Sequence, residues 1–241
     1  MKIAQEFSKI PMWHFRKRKT FLSAVGLEVP SDFPSEPYEA ARHLMIPKKD
    51  RFSDLWREFT GAWNTLPYRF LSCTRQNDIY IESVRRFGTS PSSPQRFIQE
   101  EALFFFFVAG LSAIESLCYG LYFIAAMVDQ NSFPTNNKRK IIPEETSRCL
   151  RATFPYESIT STLGGLLESS DFTDWNEIRN ILAHRISPSR TFRIGGAQHG
   201  RTSWLNEIEI DDTTTGERLE WLTKNLRELL EGIVLFTKTQ L

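Results

Sequence analysis

One apolar segment of this chain limits what it can fold into more than any other feature. Residues 102–128 read ALFFFFVAGLSAIESLCYGLYFIAAMV, which is long enough to cross a bilayer as a helix. Glu115 lies near the middle, where an unpaired carboxylate costs about 2.5 to 3.5 kcal/mol on insertion scales. No flanking lysine and arginine asymmetry or second span supports insertion. The segment therefore predicts a buried core helix and no membrane association, with a membrane anchor as the weaker alternative.

The composition is that of a globular protein with almost no net charge, and therefore without a strong overall electrostatic field. The chain has 241 residues, of which 41% are hydrophobic and 13% aromatic, which is ample for a buried core. Thirty basic and twenty-nine acidic side chains give a formal charge of +1, so any site for a polyanion must be local. The N-terminus lacks the apolar core of a secretory signal, which predicts a cytoplasmic location.

The cysteine pattern argues against a metal centre. Cys73, Cys118 and Cys149 lie far apart and form neither a CxxC pair nor a zinc spacing with histidine. They are expected to be reduced thiols in a cytoplasmic protein. We predict neither a metal nor any other cofactor.

Apolar spacing predicts an all-α protein. A first amphipathic helix starts near Asp50 and should end at Pro67, and the central helix should cover residues 95–129. Pro155 should divide residues 144–169 into shorter helices, and a closing helix should start near Thr215. Within the central helix, small residues step by four, three and four, which should let a neighbouring helix approach closely. These small residues are Ala109, Ala113, Ser116 and Gly120.

Two further segments complete the predicted organisation. Residues 1–49 contain five of the twelve prolines and no long apolar period, so an extended N-terminal arm with at most one short helix precedes a helical domain over 50–241. Residues 191–194 and 204–210 show strand-like alternation around a glycine-containing loop. They predict a small β-hairpin inserted before the C-terminal helix.

The segment 175–185, WNEIRNILAHR, contains the candidate catalytic residues, an arginine, an asparagine and a histidine on one predicted helix. It should lie on a helix capped by Ser170 or Asp171. Asn180 and His184 are four residues apart and share a face, whereas Arg179 lies about 140° around the axis from His184. One copy of the helix therefore cannot place both groups on one face, but two copies about a two-fold axis could bring them together.

The order Arg179-Asn180-x-x-x-His184 resembles the R-x4-6-H motif of the HEPN superfamily. The Glu115 helix, LSAIESLCYGLY, is similar to the glutamate-containing helix that packs beside the motif helix in that family. The resemblance covers roughly residues 50–241 as architecture and about ten residues as a specific motif. It implies a HEPN-like helical bundle and a metal-independent endoribonuclease of the toxin or defence type.

The same resemblance implies roles and partners. His184 would move the proton of the ribose 2′-hydroxyl or of the leaving 5′-oxygen, and Arg179 would neutralise the charge that develops on the phosphate. Asn180 would orient His184 or the phosphate, and Glu115 would hold the guanidinium. A homodimer, an RNA substrate and a cognate antitoxin protein are the expected partners.

Two alternatives remain open at this stage. Arg185 and Arg190 follow the motif and could form a phosphate track, or they could stabilise the hairpin surface. The chain could also be a non-catalytic HEPN-like module that binds a nucleotide or a protein and serves dimerisation. The two functions differ in whether Arg179 and His184 are exposed in a shared basic groove or hydrogen-bonded within one subunit.

Overall fold

The computed structural model describes residues 20–22, 26–184, 190–192, 202–204 and 208–241, and of residues 20–22, 184, 192, 204 and 208 only the backbone. The all-α fold with a small hairpin before the C-terminal helix is confirmed. The α-helices in this part of the chain are α1 (Ser35–Met45), α2 (Ser53–Phe87), α3 (Ser93–Val128), α4 (Pro143–Thr153), α5 (Ser158–Glu168), α6 (Ser170–His184) and α7 (Gly216–Gln240). Two 3-10 turns lie at Ile46–Lys48 and Lys138–Lys140.

The strands are short and antiparallel. β1 (Thr20–Leu22) pairs with β2 (Glu28–Pro30) near the N-terminus. β3 (Arg190–Phe192), β4 (Thr202–Trp204) and β5 (Ile208–Glu209) form a separate three-stranded sheet. The prediction of one strand over 204–210 was wrong, because Trp204 is the last residue of β4 and its backbone pairs with that of Ile208 in a separate strand, β5.

Helix α2 runs straight through the proline that was expected to end it. Pro67 has no N–H, so the carbonyl of Trp63 lacks its usual partner within the helix. The hydroxyl of Tyr38 on α1 donates to that carbonyl at 3.3 Å, and the Trp63 Nε1 donates back to the Tyr38 carbonyl at 3.3 Å. The two rings also stack at 5.5 Å. A contact from a distant helix thus replaces the bond that proline removes, and α2 continues to Phe87.

Helix α1, a short helix in the described part of residues 1–49, belongs to the core. Tyr38, Ala41 and Met45 are buried on one side of it, where it packs against α7. Lys48, just after α1, donates to the carbonyl of Leu241 at the other end of the chain. This part of the N-terminal segment is therefore an integral layer of the bundle.

Helix α3 is the central element, as the apolar segment predicted. It packs against α2, α4, α6 and α7. Of the described residues, it is the one helix long and apolar enough to cross a membrane, and 61% of its most apolar stretch is buried inside the protein. The three cysteines are buried free thiols, with Cys118 on α3 itself.

The small residues of α3 do admit neighbouring helices closely. Ser116 accepts a hydrogen bond from Arg69 of α2, and a side chain on Gly120 would meet the Trp63 ring of α2 at 3.2 Å. Gly110, which lies outside the predicted stripe, has the closest neighbour, because a Cβ there would collide with the Trp175 indole of α6. Gly110 therefore lets the motif helix dock against the centre of the bundle.

Candidate functional site

Helix α6, which carries the motif, is oriented by its buried side. Phe172, Trp175 and Ile178 are buried, and the Trp175 Nε1 donates to the carbonyl of Phe107 on α3 at 2.9 Å. The helix is capped by Ser169 and not by either residue expected, since the Ser169 Oγ accepts from the Phe172 N–H at 3.2 Å. Beside this buried side, α6 carries Asn176 and the motif residues Arg179 and Asn180, whose side chains are only partly buried.

Arg179 and Glu115 form the ion pair at the centre of the candidate site. The Arg179 Nη2 lies 3.1 Å from the Glu115 Oε1, and the two side chains are 25% and 40% exposed. Glu115 thus faces Arg179, and its supporting role in a functional site stays a prediction. A pair this exposed contributes at most about 1 kcal/mol to stability. Its main effect is to fix the direction of a guanidinium that solvent can still reach.

Asn176 joins this pair to Asn180. The Asn176 Oδ1 accepts from the Arg179 Nη2 at 3.4 Å and from the Asn180 Nδ2 at 3.3 Å. Asn176 was not among the residues predicted from the sequence, although its position three residues before Arg179 and four before Asn180 was a usable signal. Asn180 thus lies beside Arg179, and its predicted role toward His184 or a phosphate stays a prediction. The His184 side chain and all of Arg185 lie outside the described residues.

A second arginine approaches Glu115 from the other neighbouring helix. The Arg69 Nη1 of α2 donates to the carbonyl of Ser112 and to the hydroxyl of Ser116, on the turns of α3 that flank Glu115. Burial lowers the pKa of the Arg69 guanidinium, and the nearby Glu115 carboxylate opposes that shift. No local pattern marked Arg69, because its position depends on how α2 packs on α3.

One turn after Glu115, Tyr119 of α3 contacts a second ion pair, formed by Glu58 and Lys138. The Tyr119 hydroxyl donates to the Glu58 Oε2 at 2.8 Å, and the Lys138 Nζ lies 2.6 Å from the Glu58 Oε1. The hydrogen bond from Lys138 is the largest cause that holds the pKa of the Glu58 carboxyl below its ordinary value. The pair fixes the basic turn Lys138–Lys140 beside the exposed face of α3.

Arg190 is not placed to bind RNA in this structure. Its side chain is 5% exposed, and its Nε lies 2.7 Å from the Glu100 Oε1. Its Nη1 donates to the Gln99 Oε1 at 2.6 Å and to the Thr89 carbonyl at 2.9 Å. The phosphate track expected at Arg190 is therefore corrected: Nε and Nη1 connect β3 to the first turns of α3, and Nη2 is buried without a hydrogen-bond partner. This position matches the alternative that Arg190 stabilises the hairpin.

Replacing Arg190 by alanine is expected to lower the free energy of unfolding by about 2 to 3 kcal/mol, because the partly buried Glu100 loses the nearer of its two charged partners and keeps only Arg96 at 3.7 Å. Urea denaturation followed by circular dichroism measures this loss. Arg85→Ala is the control, since its pair with Asp212 is 53% and 44% exposed and should cost less than about 1 kcal/mol. A loss at Arg190 no larger than at Arg85 would contradict the anchoring role.

The N-terminal end of α6 borders a cavity that is lined mainly by acidic and aromatic side chains. The cavity has a volume of about 140 Å³ and is lined by Asp171, Asp174, Trp175, Glu217, Arg218 and Trp221. Three carboxylates against one guanidinium make it unsuited to a polyanion. The described residues contain no group of three or more histidine, cysteine, aspartate or glutamate side chains that could hold a metal ion.

The candidate site is thus a partly exposed ion pair, Arg179 with Glu115, supported by Asn176 and flanked by Arg69. Comparisons with protein-family models, with curated proteins and with solved structures found no match for this chain.

Proposed function

We propose that this protein is a metal-independent endoribonuclease of HEPN type that acts as a homodimer, as a toxin or defence ribonuclease. The observation that carries the proposal is the Arg179–Glu115 pair, which holds a guanidinium in a fixed direction on a surface that solvent reaches. A guanidinium presents a rigid fork of donors that matches phosphate oxygens. The motif order Arg179-Asn180-x-x-x-His184 supplies the imidazole on the same helix.

The chemistry follows from these side chains. The ribose 2′-oxygen attacks the adjacent phosphorus and loses its proton, while the bond from phosphorus to the 5′-oxygen breaks and that oxygen gains a proton. His184 carries protons in this exchange, since imidazole titrates near neutral pH. Arg179 stabilises the charge that accumulates on the non-bridging oxygens. Asn180 orients the phosphate or His184.

A second copy of the chain completes the proposed site. Arg179 and His184 lie on different sides of α6, so a single helix cannot direct both at one phosphate. The exposed face of α3 that carries Glu115 also carries Phe97 and Phe105, which are 60% and 44% exposed. An apolar stripe that leads to the motif supports a two-fold contact there. An antitoxin protein and a cytoplasmic location remain part of the same proposal.

The test is cleavage of a mixed RNA pool in excess EDTA by the purified protein and by His184→Ala. Cleavage by the wild type and none by the variant is expected, because the variant lacks the group that moves protons. The products should carry 5′-hydroxyl ends, which a kinase-labelling assay detects. Matched circular dichroism and light scattering exclude a folding or assembly defect. Equal cleavage by both proteins, or none by the wild type on any RNA, would overturn the proposal.

One observation favours a second candidate, a non-catalytic nucleotide- or protein-binding dimerisation module. Arg179 is hydrogen-bonded within its own subunit to Glu115 and Asn176. A guanidinium occupied in this way can serve as a structural link between α3 and α6. Binding of a nucleotide or a protein by a wild-type chain that cuts no RNA would favour this module.

A further inference from the structure

Several cations follow the exposed face of α3 away from Arg179. Arg179 binds Glu115, Arg69 binds Ser112 and Ser116 on either side of it, and Lys138 reaches Tyr119, one turn further along the helix, through Glu58. Ser112 and Tyr119 are about 10 Å apart along the axis. The cations thus line a stretch long enough for more than one phosphate of an extended strand.

These side chains have donors left for a ligand. Every hydrogen bond found for Arg69 comes from Nη1, so within the described residues Nε and Nη2 remain available. Arg139 and Lys140 are exposed and have no ion-pair partner in the described part of the chain. Lys138 is shared with Glu58 but is still 49% exposed.

The local charge is high for a nearly neutral protein. Five basic side chains, Arg69, Lys138, Arg139, Lys140 and Arg179, lie along this face with two carboxylates, Glu58 and Glu115, which leaves a local charge of +3. Glu145, which also acts on Lys140, is paired with Arg148 and adds no net charge. The whole chain carries only +1. Such a concentration attracts a polyanion to this one face.

We propose that Arg69 and the turn Lys138–Lys140, here called the basic strip, bind the phosphates of single-stranded RNA beside the cleavage position. This inference rests on the proposed function, which places the reacting phosphate at Arg179. The phosphate binding that the sequence suggested for Arg190 is thereby assigned to the basic strip, because the guanidinium of Arg190 is buried. Its partner is the sugar-phosphate backbone, so it favours no base sequence.

The experiment measures binding separately from cleavage. A fluorescein-labelled oligouridylate is titrated with His184→Ala protein over a range of salt concentrations and followed by fluorescence anisotropy. In the same background, the double variant Arg139→Ser/Lys140→Ser should weaken binding. Its slope of log K against log salt should be smaller by about 1.4, since each phosphate contact in a single strand contributes about 0.7. Arg69→Gln should reduce the slope by about 0.7.

A matched control removes the same charge elsewhere. Lys224→Ser/Lys238→Ser changes two exposed lysines of α7 and should leave the slope unchanged. If the strip variants and the His184→Ala parent have equal slopes of log K against log salt, the proposal that the basic strip binds phosphates is wrong, whatever the result of the cleavage assay in EDTA. A reduced slope supports the strip even if the wild type never cuts RNA. Binding of an acidic protein with no binding of oligouridylate overturns it, because the partner would then be of another class.

Discussion

Arg179→Ala is expected to lower the rate constant for RNA cleavage by about 10²- to 10³-fold, the usual cost of removing one preorganised donor from a developing oxyanion. Unfolding should change by less than about 1 kcal/mol, because the Arg179–Glu115 pair is partly exposed. Arg179→Lys should not restore the rate, since an ammonium lacks the planar fork. Single-turnover cleavage of a labelled RNA measures the rate constant, and urea denaturation measures stability.

The control for Arg179 is an arginine that is ion-paired elsewhere on the surface. Arg148 binds Glu145 at 2.6 Å and is 66% exposed, so Arg148→Ala removes the same charge and a comparable pair without touching the site. It should cut RNA at the wild-type rate. If Arg179→Ala cleaves as fast as Arg148→Ala, Arg179 is a structural link between helices and the ribonuclease proposal loses its central residue.

Trp175→Ala should lower the free energy of unfolding by about 3 to 5 kcal/mol, the usual cost of emptying a large aromatic site in a core. The indole is 1% exposed and stacks on Phe106 at 5.3 Å. Its loss also leaves the Phe107 carbonyl without its hydrogen bond of 2.9 Å. This would remove a large share of the 5 to 15 kcal/mol typical of a folded domain. Urea denaturation followed by far-ultraviolet circular dichroism gives the difference.

A surface aromatic residue serves as the control for Trp175. Tyr156 is fully exposed, and Tyr156→Ala should change stability by no more than about 0.5 kcal/mol. A loss below about 1 kcal/mol for Trp175→Ala would mean that α6 is not held on α3 through the Gly110 position.

Sequence alone was enough for the helical class and the central helix. A helix that is apolar around its whole circumference has to be buried, so the continuous apolar run 102–128 identified the core helix α3 without any structure. A carboxylate in that helix needs a partner, so pairing of Glu115 with an arginine or with the backbone could be expected, but only the packing of α6 on α3 made Arg179 that partner.

Tertiary structure decided the outcomes that depend on a distant partner. Pro67 should end a helix by any local rule, but the Tyr38 hydroxyl from α1 satisfies the carbonyl that the proline leaves free. Arg190 looked like a surface cation beside the motif, yet Glu100 and Gln99 bind it in a buried position. Arg69 carried no signal and reaches the site only because α2 packs on α3. Local sequence sets the preference of each segment, whereas the group that satisfies a free carbonyl or a buried charge is supplied by packing between segments far apart in the chain.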